Sequence, residues 1–161
     1  MRRSPTSRRQ RNPPTLFLDE NLSSDDIAEH VRAAPNWNVE THRAHLAPGA
    51  PDESVIDFCA AKGWVLVSKD DMMRRTTNLR ARIEEQRLQA VMFSRAELTG
   101  VHYASALVVA QKKLLQILKA RRGPVFIRVT PEGKAYVIDE KPIAQMTSQE
   151  RTRAKFGKEA V

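Results

Sequence analysis

Short unbroken apolar runs alternate along the chain with stretches whose apolar residues recur every three or four positions. Thr15, Leu16, Phe17 and Leu18 form the first such run, which predicts a buried strand. Asn21, Ser23, Ser24, Asp25 and Asp26 then offer helix-capping side chains ahead of Ile27, Ala28, Val31 and Ala34, which recur at helical spacing. Pro35 and Asn36 end that helix, and Trp37 to Thr41 alternates as a second strand does, with Trp37 and Val39 on one side. His42 to Pro51 reads as a loop. Val55, Ile56, Cys59 and Ala60 make the next helical stripe, closed by Lys62 and Gly63.

Trp64 to Ser68 is the clearest strand, followed at once by Lys69, Asp70 and Asp71. Charged residues from Arg74 to Arg87 surround Leu79, Ile83 and Leu88 as on an amphipathic helix, and Ala90 to Phe93 is a fourth strand. A long helix is expected over His102 to Lys119, broken by Gly123 and Pro124. The strand Val125 to Val129, a turn at Pro131 to Lys134 and an edge strand from Ala135 to Ile138 follow. Beyond about Lys141 the chain is polar and is expected to fray. The partition is thus a basic arm over 1–14, one domain over 15–138 and a polar tail over 139–161, with no internal repeat. Strand–helix alternation of this kind predicts a three-layer α/β/α sandwich with a mainly parallel central sheet.

Charge changes the picture more through its distribution than its total of +8. Residues 1–13 hold five arginines and no acid, as suits an arm that touches nucleic acid or an extension without a role. Residues 14–71 hold four basic residues against eleven acids, whereas residues 72–128 hold twelve against three. Such segregation suits carboxylates gathered in one part and a polyanion-attracting surface in another, or simply helix faces of different charge. The one cysteine, Cys59, leaves no intrachain disulfide and no cysteine-rich zinc site. With no apolar signal segment and no run of membrane-span length, the expected location is the cytoplasm, with no membrane partner.

Sites in open α/β sheets form outside the carboxyl ends of the strands. Three acid pairs fall where that rule points: Asp19-Glu20 after the first strand, Asp52-Glu53 at the start of the helix after the second, and Asp70-Asp71 after the third. Converging carboxylates repel one another unless a cation sits between them, and Mg2+ or Mn2+ suits an all-oxygen set. Each acid also has a plainer role available. Asp25 and Asp26 fit the first turn of a helix, Asp52 fits an N-cap, and Asp71 fits the surface. Arg74, Arg75, Arg80 and Arg82 follow the acidic edge closely enough to grip phosphates, or are a solvated helix face; Lys112, Lys113, Arg121 and Arg122 extend the positive charge. His42 and His45 lie on the loop near the expected acidic edge, where they would meet substrate, or are ordinary loop surface, which is the plainer reading; His30 and His102 read as structural.

The ordered segments Leu16 to Leu22 (LFLDENL), Pro51 to Ile56 (PDESVI), Val65 to Asp70 (VLVSKD) and Phe126 to Lys134 (FIRVTPEGK) resemble the PIN-like domains. These are relatives of the VapC-type toxin ribonucleases, and the resemblance is to the small group with an Asp-Glu-Asn first-strand signature. It covers roughly 15–138. It implies a metal-dependent ribonuclease that releases a 5′-phosphate and a 3′-hydroxyl. The metal ligands would be Asp19, Asp70 and one of Asp52 and Glu53, with Glu53 taken here, and Asp71 would be an outer ligand. The Ser68 hydroxyl would hold a carboxylate or a water, and Arg74, Arg75 and Arg80 would meet the substrate. It also implies a small antitoxin partner and a homodimer. Met72 departs from the pattern, standing where many relatives carry a second Asp, and a thioether does not ligate a hard cation. The alternative is a catalytically inactive PIN-like module that binds nucleic acid or protein. A phospho-acceptor domain of the receiver type, with Asp70 as acceptor, fits less well because Asp70 follows Lys69 and is paired with Asp71.

Overall fold

The computed structural model describes residues 12–94 and 97–156, with side chains through Arg153. The arm expected over 1–14 therefore lies, up to residue 11, outside the described residues.

Six strands form one sheet in the order β2-β1-β3-β4-β5-β6. They are β1 (Thr15–Leu18), β2 (Asn38–Thr41), β3 (Val65–Ser68), β4 (Gln89–Phe93), β5 (Val125–Val129) and β6 (Ala135–Val137). The first five are mutually parallel and β6 runs antiparallel to β5. A parallel sheet needs helical crossovers on its faces, which is why the central strands are apolar on both sides rather than alternating. Leu16, Leu18, Val65, Val67, Val91, Ile127 and Val129 pack on one face with α1 (Asp25–Arg32) and α6 (Gly100–Ala120). Phe17, Leu66, Ala90, Met92 and Phe126 pack on the other with α3 (Asp52–Lys62) and α5 (Thr77–Glu85). This is the three-layer sandwich expected from the sequence.

Local signals set the helix limits. The Ser24 side chain accepts from the Ile27 N–H to start α1. Gly63 closes α3 in the left-handed region at φ 73°, which an L side chain adopts only at a cost.

Three stretches differ from the sequence reading. His42 to His45 forms a one-turn helix, α2, instead of plain loop, with the Thr41 side chain accepting from the Ala44 N–H. The single helix expected from Arg74 to Arg87 is two, α4 (Met72–Arg75) and α5, because the backbone turns at Thr76, which is extended at ψ 111°. The tail, expected to fray beyond about Lys141, docks on α5. Ile143 is buried, its N–H donates to Glu84 Oε1 at 2.8 Å, and the Lys141 carbonyl accepts from Arg80. A final helix, α7 (Ser148–Phe156), follows. No helix of the described residues is long and apolar enough to cross a membrane.

Candidate functional site

The chain leaves β1 toward β2 on one side and returns to β3 on the other, so the strand order reverses between β1 and β3. A reversal of this kind opens a crevice at the carboxyl ends of the two strands, where open α/β sheets bind ligands. Asp19 and Asp70 stand at the two lips of that crevice. Asp19 directly follows β1, and its N–H donates to the Val67 carbonyl at 2.9 Å, carrying the β1–β3 ladder one step further. Asp70 lies two residues beyond β3, and its Oδ1 accepts from the Met72 N–H at 2.9 Å. Ser68 is the last residue of β3 and is half-buried.

The third member is Asp52, the first residue of α3. Its carboxyl is pushed above the usual range by burial and then by the charges of Glu53 and Asp70. The Asp19 carboxyl is also raised, chiefly by burial and partly by Asp52, although the Glu20 N–H donates to its Oδ1 at 2.8 Å and works the other way. Asp19, Asp52 and Asp70 are therefore linked by mutual repulsion. Glu53, chosen above over Asp52, is exposed, and its charge acts on Arg82. Asp52 is the one of the two whose charge acts on Asp19, and Asp70 acts on Asp52 in turn. Among the described residues, no group of three or more His, Cys, Asp or Glu side chains could hold a metal ion.

Asp71 lies in a different environment. Its Oδ1 accepts from Arg75 Nε at 2.7 Å, while its Oδ2 accepts from Arg74 Nη2 at 2.7 Å and from Arg128 Nη2 at 3.0 Å. Burial raises its carboxyl, but the hydrogen bonds and charges of Arg74 and Arg75 outweigh that, and the net displacement is downward. The expected outer metal ligand is occupied by three guanidinium groups. The arginines are engaged in turn. Arg74 also pairs with Glu140 at 2.7 Å. Arg80 is 4% exposed, with Nε on Glu84 at 2.9 Å and a bond to the Lys141 carbonyl. In this arrangement Arg80 is a structural ion-pair partner with no open face for phosphate. Arg75, 37% exposed, is the most open of the three expected substrate arginines. Arg82 pairs with Asp57 through two bonds of 2.8 and 2.7 Å, and that contact lowers the Asp57 carboxyl to about 2. Met72 is 55% exposed at the start of α4.

Three further residues enter the site, of which the sequence placed only Glu20 there, as the neighbour of Asp19. His42, expected at the surface, is 2% exposed. Its Nε2 lies 2.9 Å from the Ala47 carbonyl, which can only accept, so Nε2 carries the proton. Its Nδ1 is buried with no hydrogen-bond partner and stands 3.8 Å from Asp19 Oδ1. Glu20 accepts the Gly49 N–H on both carboxylate oxygens, at 3.1 and 3.0 Å, and so ties the loop ahead of α3 to the end of β1. Tyr103 is buried, its hydroxyl accepts from the Leu98 N–H at 3.3 Å, and its phenol is raised by burial with a contribution from Asp70. Of the other two, His42 was the more accessible from sequence, since it directly follows β2 at the same sheet edge.

A mainly parallel open sheet with acids at its switch point defines a class of α/β domain whose ligands approach the carboxyl edge. Within that class, residues 14–95, just over half of the 161-residue chain, match the family described as PIN like domain. The chain belongs to that family. No curated protein and no solved structure matches it.

Proposed function

We propose that this chain is a catalytically inactive PIN-like module that binds nucleic acid along the edge beside Asp70. The observation that supports this reading is the arginine clamp on Asp71. Where a nuclease would carry a further open carboxylate, both oxygens of Asp71 are held by Arg74, Arg75 and Arg128, and Met72 follows. Three guanidinium groups face two carboxylates there, Asp71 and Glu140, which leaves one net positive charge next to the crevice. Arg75, as the most exposed, is the residue that meets a phosphate, with Arg74 and Ser68 beside it.

A second reading is favoured by the mutual repulsion of Asp19, Asp52 and Asp70. It is a Mg2+- or Mn2+-dependent ribonuclease acting as the toxin of a toxin–antitoxin pair, neutralised by a small antitoxin and working as a homodimer. It requires the three carboxylates to draw together around a cation, with Glu53 alongside.

Titration of a labelled RNA panel by fluorescence anisotropy, with cleavage of the same RNAs followed in Mg2+ and in Mn2+, separates the two. The proposal expects salt-sensitive binding that weakens about threefold or more in Arg75→Ala, with no cleavage. Metal-dependent cleavage that disappears in both folded Asp19→Asn and Asp70→Asn would overturn it in favour of the nuclease.

A further inference from the structure

The sheet ends in an open edge at β6. No further strand pairs with it among the described residues. The Thr130 N–H donates to the Lys134 carbonyl and the Ile138 N–H donates to the Phe126 carbonyl. Residues 134, 136 and 138 therefore turn their peptide groups toward β5. Alternate residues of an antiparallel ladder turn theirs the other way, so the N–H and C=O of Ala135 and Val137 point out of the sheet. An edge of this kind is a template for another strand unless something blunts it.

Beside this edge lies a groove of about 540 Å³, between β6 and the middle of α6. Val109, Lys112, Lys113, Gly133, Lys134 and Tyr136 line it. Val109 and Tyr136 are two of the few large apolar side chains left exposed, at 67% and 44%. The turn before β6 sits directly on the helix, because Gly133 has φ +89° and a Cβ there would stand 2.3 Å from Val109 Cγ1. Lys112, Lys113 and Lys134 are exposed and have no ion-pair partner among the described residues. Glu132 is the one acid between Thr130 and Ile138.

We propose that this edge and groove bind an extended acidic peptide segment as an added strand. The outward peptide groups of Ala135 and Val137 supply main-chain hydrogen bonds. Val109 receives the apolar side chains on the face of the incoming strand that turns toward α6, Lys134 meets carboxylates on the opposite face, the one Tyr136 shares with Ile138, and Lys112 and Lys113 add positive charge alongside. Three lysines would also attract a phosphate backbone. However, an apolar floor and outward N–H and C=O groups two residues apart match the repeat of a strand and not that of a nucleic acid. The proposal is independent of the nucleic-acid reading above, which uses different residues.

The test titrates a fluorescein-labelled peptide of alternating Glu and Val into the full chain. Its Lys–Val counterpart, an oligouridylate and a Glu–Val peptide N-methylated at alternate residues are run beside it. Saturable binding of the Glu–Val peptide is expected, with about tenfold weaker binding of the N-methylated and Lys–Val peptides. Val137→Pro removes an N–H that the β5 ladder does not use, and is expected to weaken binding by a similar factor. The double variant Lys112→Glu, Lys134→Glu is expected to favour the Lys–Val peptide instead. The N-methylated peptide leaves the protein unaltered, so a folding defect in a variant cannot hide the answer. Equal binding of the methylated and unmethylated peptides, or no binding of either to folded protein, would overturn the proposal. Oligouridylate binding that is lost in the double variant, with no peptide binding, would assign the groove to nucleic acid.

Discussion

Asp70 and Asp71 are neighbours in the chain, yet they belong to two carboxylate clusters of opposite character. Asp70 shares the crevice with Asp19 and Asp52, where carboxylates face one another and burial raises two of them. Asp71 is held by three arginines in a cluster that also takes in Glu140, and its carboxyl is lowered. One cluster is held together by its own countercharges; the other holds like charges in place at a cost to stability. That contrast separates carboxylates paired with countercharge from carboxylates left facing like charge.

The largest effect should come from the paired side. Arg80→Ala leaves Glu84 and the Lys141 carbonyl without their buried partner, and should destabilise the chain by about 3 kcal/mol in urea unfolding. A loss below about 1 kcal/mol would mean that the cluster is decoration. Asp71→Asn should cost about 2 kcal/mol at neutral pH, discounted because the site is partly exposed. Its pH dependence has a definite sign. With a lowered folded pKa, the stabilisation from Asp71 is full above the unfolded pKa of about 3.9 and disappears as pH falls through the folded value. The difference between wild type and Asp71→Asn should therefore vanish in acid.

Asp19→Asn should do the reverse and by less, raising stability by about 1 kcal/mol at pH 7. A raised folded pKa means that the cost of Asp19 is present in full above the folded pKa. It is relieved as pH falls through that value and is gone below about 3.9. The gain from Asp19→Asn should shrink over that interval. If Asp19→Asn and Asp71→Asn both destabilised at pH 7, the two-cluster contrast would be lost.

The fold was legible because the central strands are buried on both faces, which writes them into the sequence as unbroken apolar runs. Asp19 and Asp70 were legible because each follows such a run. The difference in burial between Asp52 and Glu53 was written in the helix as well. Asp52 is spaced three, four and seven residues ahead of Val55, Ile56 and Cys59, so it lies on the buried stripe of α3, and Glu53 does not. The clamp on Asp71 was not legible, since one of its three arginines comes from β5, 57 residues away. The docking of the segment after Ile138 was hidden for a similar reason. It is anchored by polar bonds to Arg80 and Glu84 more than by an apolar pattern. His42 escaped because a lone histidine outside a periodic element carries no sign of burial.

The bond between Glu20 and Gly49 sets a spacing rule. Glu20, next to Asp19, grips the loop three residues ahead of Asp52 through both of its oxygens. The separation of the first and third carboxylates is thus gauged by a fourth, acting as a caliper fixed at the end of β1. An insertion or deletion between Gly49 and Asp52 would reset that gauge, and one between Leu46 and Pro48 would part the Ala47 carbonyl from His42 Nε2 instead.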